Sequence, residues 1–136
     1  MSDHAAIIVR RGKEILFVRR SMQKRILPGA WAFPSGTRKP NETIFETAKR
    51  EVQEELGIRV NTDEILCEKD LPEFGDKLSF VLCSITSGEP QICEPKEMDS
   101  LKWMPFKEFL DQHDDSQIGH GLVYLRTQPQ LCAKLN

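Results

Sequence analysis

The amino-acid sequence predicts an α/β fold in which a mixed sheet is covered by helices on two sides. Three observations carry this reading. Two short apolar, β-branched runs open the chain, a single strongly periodic helix stands alone near its middle, and strand-like segments resume before a second helix near the end. The order does not suggest alternating βαβ units. With 136 residues, 39% hydrophobic and 29% charged, the chain is long enough to bury one core, and a single domain over residues 1–136 is expected.

Residues 5–9 and 15–18 are read as strands, separated by Arg10, Arg11, Gly12 and Lys13 in the manner of a hairpin. Residues 27–36, Leu-Pro-Gly-Ala-Trp-Ala-Phe-Pro-Ser-Gly, combine backbone breakers with apolar anchors at Trp31 and Phe33, which predicts an ordered loop around a short strand. The helix is predicted over 43–56. Ile44, Phe45, Ala48, Val52 and Leu56 recur at helical spacing, Thr43 with Glu46 makes a T-x-x-E capping box, and Gly57 is the stop. Strands are then expected at 58–60, 65–69, 78–86 and 101–104, and a short helix at 106–112. The last segment, 118–135, carries Leu122, Val123, Leu125 and Leu131 at helical spacing, with Pro129 expected to break or kink it.

Bulk properties exclude several classes. No apolar run approaches the roughly 18 residues of a membrane span. Asp3 and His4 interrupt an N-terminus that lacks the basic start and long apolar stretch of a secretory signal, so a cytoplasmic location is expected. Cys67, Cys83, Cys93 and Cys132 form no C-x-x-C pair and read as reduced thiols. A net charge of −2 with pI near 5.9 gives no global basic field, so no nucleic-acid polymer is expected as a partner. Basic clusters at Arg10, Arg11 and Lys13, and at Arg19, Arg20, Lys24 and Arg25, leave room for a small anionic ligand.

Within the central helix, Glu51, Glu54 and Glu55 stand at i, i+3 and i+4 and share one face. Like charges at this spacing repel by a few tenths of a kcal/mol per pair, and Arg50 on the flank offsets them in part. A solvated acidic face is the plain alternative. Hard oxygen donors at this density suit Mg²⁺ or Mn²⁺, which in turn bind phosphate oxygens, so the triplet points to phosphate chemistry.

The wider spacing sharpens the reading. Gly36, Glu42, Arg50, Glu51, Val52, Glu54, Glu55, Gly57 and Ile58 stand at every fixed position of the pattern G-x5-E-x7-R-E-U-x-E-E-x-G-U, with U aliphatic. The chain therefore resembles the Nudix hydrolase superfamily, its MutT-like members included. Pro28, Gly29, Trp31, Phe33 and Pro34 are similar to the usual lead-in, and the resemblance is specific over about residues 15–58. It implies a Nudix-type α/β/α sandwich with a mixed central sheet. It also implies metal-dependent hydrolysis of a nucleoside diphosphate linked to another moiety, such as a nucleoside triphosphate, a nucleotide sugar or ADP-ribose, by water attack on a diphosphate phosphorus.

Residue by residue, the resemblance implies that Glu51, Glu54 and Glu55 bind the metal, with Glu54 and Glu55 nearest the hydrolytic water. Glu42 and Arg50 are then an ion pair that joins the loop to the helix and orients those carboxylates, behind Gly36. The carbonyl before Gly36 is a ligand in many relatives, and here it belongs to Ser35, where glycine is usual. Many members add a later glutamate as ligand or general base. Glu97, six residues before Trp103, resembles that position best, with Glu94 as its rival. Arg20, Arg25, Arg38 and Lys39 are candidates for holding the remaining phosphates, against ordinary surface charge.

His4, His113 and His120 are isolated and are given no catalytic role. Trp31, Phe74 and Phe80 are weaker candidates for stacking on a base, Trp31 reading more readily as a core or loop anchor. The expected cofactor is Mg²⁺, or Mn²⁺. The expected partner is a small-molecule nucleotide or nucleoside-diphosphate derivative, with no membrane, and a homodimer is compatible since many relatives dimerise. The competing functional reading is a catalytically silent Nudix-fold module that binds or senses nucleotides. Loss of box carboxylates would be its sign, and none is lost.

Overall fold

Residues 2–72 and 75–136 are described by a computed structural model. The expected opening hairpin is β1 (Asp3–Arg11) with β2 (Glu14–Arg20), antiparallel and turned at Gly12, whose φ of 60° suits glycine. Two short strands follow, β3 (Trp31–Ala32) and β4 (Ser35–Thr37), then helix α1 (Ile44–Leu56). The long strands β5 (Arg59–Leu71) and β6 (Asp76–Ser87) pair antiparallel, β7 (Met98–Met104) follows, and helices α2 (Phe106–Gln112), α3 (His120–Arg126) and α4 (Pro129–Leu135) close the chain.

The strands form one sheet ordered β3-β2-β1-β6-β5, with β4 also on β1 and β7 also on β2. Among the strand pairs of the described residues only β1 with β6 is parallel, so the sheet is mixed, as expected. Its two faces explain the unbroken apolar run of β1. Ala6 and Ile8 join Phe17, Phe80, Leu82, Phe106, Phe109 and Leu122 under α2, α3 and α4, whereas Ala5, Ile7 and Val9 join Leu16, Val81, Ala48, Val52 and Leu56 under α1. A strand buried on both faces reads as continuous hydrophobicity.

Two expectations are revised. The strands predicted at 58–60 and 65–69 are one strand, because register shifts near Val60, Thr62 and Ile65 absorb the polar stretch between them. Pro129 does more than interrupt a helix. It occupies the first turn of α4, where its missing N–H costs nothing.

Candidate active site

The capping box predicted for α1 is formed. Thr43 Oγ1 accepts from Glu46 N at 3.1 Å, and Glu46 Oε1 accepts from Thr43 N at 2.8 Å. At the other end Gly57 adopts φ 70°, and its N–H returns to the carbonyls of Gln53 and Val52. Ala48, Val52 and Leu56 pin the helix to the sheet, which turns the face bearing Glu51, Glu54 and Glu55 towards β4 and the segment before β7.

Arg50 organises that face. Its Nε donates to Glu42 Oε2 at 3.1 Å and one terminal nitrogen to Glu42 Oε1 at 2.6 Å, a fork-on-carboxylate pair. The same nitrogen reaches the Thr37 carbonyl at 3.0 Å, and the other donates to Glu51 Oε1 at 2.8 Å and Glu54 Oε2 at 3.4 Å. One guanidinium thus ties the loop, β4 and two helix carboxylates together. Glu42 also accepts from Lys39 N and Thr47 Oγ1, both at 2.9 Å. The Arg50 guanidinium holds the Glu42 carboxyl at about 2, well below its ordinary 4.5, and Glu42 holds Arg50 charged. Gly36 packs so closely on the Glu51 carboxylate that any Cβ there would overlap it.

Glu54 and Glu55 occupy the last turn of α1, whose dipole disfavours negative charge. Glu55 is only 7% exposed, and its Oε2 is buried without a hydrogen-bond partner. Burial first, then the charges of Glu51, Glu94 and Glu97, push its carboxyl well above the ordinary range. The helix thus gathers acids at its negative end, one of them buried with an unmatched oxygen. Among the described residues no three His, Cys, Asp or Glu side chains converge as a preformed metal cage, and Arg50 engages Glu51 and Glu54. The donors nevertheless fit a hard divalent ion. They are all oxygen, and among the described residues Glu54, half exposed, is held by the 3.4 Å contact alone and the unmatched Glu55 oxygen has no partner.

The later glutamates reach this end through backbone ties. Cys93 N bonds the Glu55 carbonyl and Gln91 N the Leu56 carbonyl, both at 3.0 Å, while Ser21 N bonds the Glu97 carbonyl at 3.0 Å. The segment between Gln91 and Glu97 therefore bridges the end of α1 and the end of β2. A cavity of about 370 Å³ results, lined by Arg20, Lys24, Ser35, Gly36, Glu55 and Glu97 among others. Glu97 lines it and Glu94 does not, although both charges act on Glu55. Ser35 lies in β4 opposite Ala6 and keeps a negative φ, since Leu27 is the only non-glycine with positive φ among the described residues. Serine therefore sits there without strain.

The basic candidates separate. Arg20 lines the cavity, with its Nε on the Ile26 carbonyl at 2.9 Å, and Arg25 lines an adjoining depression. Arg38 does not line it. Its guanidinium joins Asp3 at 3.1 Å and the carbonyls of Lys39 and Glu42, and Lys39 serves through its backbone. Lys24, absent from the predicted site, lies inside the cavity 2.5 Å from Glu97 Oε2. His4, given no role, also borders it, between Thr37 Oγ1 at 3.0 Å and Asp76 at 3.1 Å. Only the basic cluster around residues 19–25 could have signalled Lys24, and nothing in the sequence signals His4.

The stacking candidates fare differently. Phe80 is fully buried beneath α3, its ring beside Tyr124, and is core rather than a base platform. Trp31 packs edge-on to His113 under the Lys102 ammonium, as a loop anchor does. Phe74 lies outside the described residues.

The NUDIX domain matches residues 2–124. Nudix hydrolase 6 of Arabidopsis thaliana is 33% identical over 115 residues, which cover 79% of this chain and 40% of that protein. An 8-oxo-dGDP phosphatase of Mus musculus is 38% identical over 102 residues, 74% of this chain and 31% of that one. The chain spans about 40% of the length of the first curated relatives it matches. The crystal structure of a MutT NUDIX hydrolase from Burkholderia pseudomallei superposes with a TM-score of 0.71 at 20% identity, covering 99% of this chain and 98% of that one.

Proposed function

This chain belongs to the NUDIX domain family, and from that premise we propose that it is a divalent-metal-dependent pyrophosphohydrolase. Its substrate class is a nucleoside diphosphate linked to a further moiety. The observation that carries the proposal is the buried, unpartnered Glu55 carboxylate at the negative end of α1, beside Glu51 and Glu54 and open to a cavity that also holds Arg20, Lys24 and Glu97.

In this reading Glu51, Glu54 and Glu55, with the Ser35 carbonyl, would hold Mg²⁺ or Mn²⁺, which when bound would polarise a phosphate oxygen and lower the pKa of water. Arg50 and Glu42 fix the helix carboxylates, so that less ordering remains to be done when substrate arrives. Glu97, oriented by Lys24, takes the proton of the attacking water. Arg20 and Lys24 stabilise the negative charge that builds on the phosphate oxygens.

The test is a substrate panel with purified protein: nucleoside triphosphates, nucleotide sugars, ADP-ribose and dinucleoside polyphosphates, with Mg²⁺, with Mn²⁺ and with chelator. The expected result is metal-dependent release of a nucleoside monophosphate or inorganic phosphate from at least one member, with Glu54→Gln slowing it by about 10²–10⁴-fold. No turnover anywhere, or a Glu54→Gln protein as active as the parent, overturns the proposal. Metal-independent nucleotide binding without product would support a silent module instead.

A further inference from the structure

Beside the cavity that holds Glu55 lies a second depression of about 390 Å³, lined by Arg20, Gln23, Lys24, Arg25, Lys96 and Glu97, with Ile26 at its edge. Arg20, Lys24 and Glu97 line both, so the two adjoin. Four cations and one carboxylate surround this depression, in a chain whose net charge is −2. The carboxylate is already matched by Lys24 at 2.5 Å. Arg20 uses its Nε on the Ile26 carbonyl at 2.9 Å. Arg25 and Lys96 are exposed and take part in no ion pair or side-chain hydrogen bond among the described residues.

A third cavity, of about 300 Å³, adjoins the first and has a different character. Ile26, Leu27, Phe33, Leu78 and His120 line it, and most of its surface is apolar. A planar, largely apolar base suits that slot, and an anion suits the cationic depression. Hydroxyl-rich groups suit neither. A sugar needs paired donors and acceptors, and the cationic lining offers the Gln23 amide and a Glu97 carboxylate that Lys24 occupies.

We propose that the depression of Arg20, Lys24, Arg25 and Lys96 binds further phosphates of the group attached to the diphosphate. The substrates are then nucleotides with chains of three or more phosphates, in preference to diphosphates capped by a neutral sugar. Arg20, Arg25 and Lys96, beside the matched Lys24–Glu97 pair, leave the depression net positive and raise the local concentration of a polyanion, even though each exposed charge alone is screened. The substrate choice rests on the hydrolase reading, whereas the anion site itself does not.

The test therefore has a binding arm and a turnover arm. Calorimetry in excess Mg²⁺ compares inorganic tripolyphosphate with pyrophosphate. The parent is expected to bind tripolyphosphate about tenfold more tightly. The Arg25→Ala, Lys96→Ala double variant is expected to bring the ratio close to one, while Arg25→Lys with Lys96→Arg keeps it. In turnover, the ratio of kcat/KM for a nucleoside triphosphate over a nucleotide sugar is expected to fall by a similar factor in the double alanine variant. Equal binding of the two anions by the parent, or a preference that survives the double alanine substitution, overturns the inference. A tripolyphosphate preference that depends on Arg25 and Lys96, without turnover of any substrate, would sink the hydrolase reading and leave the anion site standing. Turnover with an unchanged ratio would leave the hydrolase reading standing and overturn the substrate preference.

Discussion

The two walls of the cavity are built on opposite principles. On the α1 wall one guanidinium fixes the frame: Arg50 alone touches Glu42, Glu51, Glu54 and the Thr37 carbonyl, and Gly36 leaves no room beside Glu51. On the other wall the segment from Ser21 to Ala30 carries a leucine at positive φ, 48° at Leu27, and an Ile26 that is 65% exposed. Its link to the α1 wall runs through one side-chain pair, Lys24 with Glu97, and the bond from Ser21 N to the Glu97 carbonyl. Chemistry that needs fixed carboxylates belongs on the first wall. Recognition that differs between substrates belongs on the second, a strained and exposed loop.

Breaking the first wall should cost most. Arg50→Ala removes the shared guanidinium, and activity is expected to drop about 100-fold, the range found when groups behind metal ligands are lost. Stability is expected to fall by about 2 kcal/mol, less than for a fully buried pair because these side chains are partly solvated. Steady-state kinetics and urea unfolding measure the two effects. A variant as active as its parent would mean that the helix carboxylates orient themselves.

Lys24→Ala tests the link between the walls. It should lower kcat/KM about tenfold by freeing Glu97, with thermal stability nearly unchanged. A loss as large as that of Arg50→Ala would erase the contrast between the walls.

The acid limb of the stability curve separates them again. Glu42 ionises at about 2 in the folded protein, against an ordinary 4.5, so the folded state binds fewer protons than the unfolded one between these values. The resulting stabilisation is complete above 4.5 and is lost as pH falls towards 2. Glu42→Gln should therefore unfold with a flatter dependence on pH in that window, measured by denaturant titration at each pH, and identical slopes would remove Arg50 as the cause of the shift.

Least disruptive should be Leu27→Gly. Relief of the positive φ offsets the lost side chain, and the variant is expected within about 1 kcal/mol of the parent while altering substrate preference. A large loss of stability would show that this loop is as rigidly specified as α1.

The same contrast explains what could be read from the sequence. The α1 wall was legible because its determinants are local: the capping box Thr43–Glu46, the αL stop at Gly57, and three glutamates within five residues of one helix. Even the longer reach from Glu42 to Arg50 spans a single loop-to-helix junction. The second wall depends on non-local pairing. Lys24 meets Glu97 only because β2 pairs with β7, and His4 reaches the cavity only because β1 pairs with β4. Phe80 was misread for a related reason. An apolar strand residue gives no sign of whether a helix covers its face, and here α3 does. Arg38 looked like a phosphate ligand from its place in the loop, yet Asp3, far away in sequence, engages it.

The central claim is that the buried end of α1 is the hydrolytic centre, and Glu55→Gln tests it most directly. The substitution keeps the volume of a side chain that is already held largely neutral by burial, so the fold should survive, as circular dichroism can verify. It removes the charge that a cation would call out. The account predicts a kcat about 10²–10⁴-fold below the parent at saturating Mg²⁺ on whichever substrate the parent cleaves. A folded Glu55→Gln protein that turns over at the parental rate would contradict it.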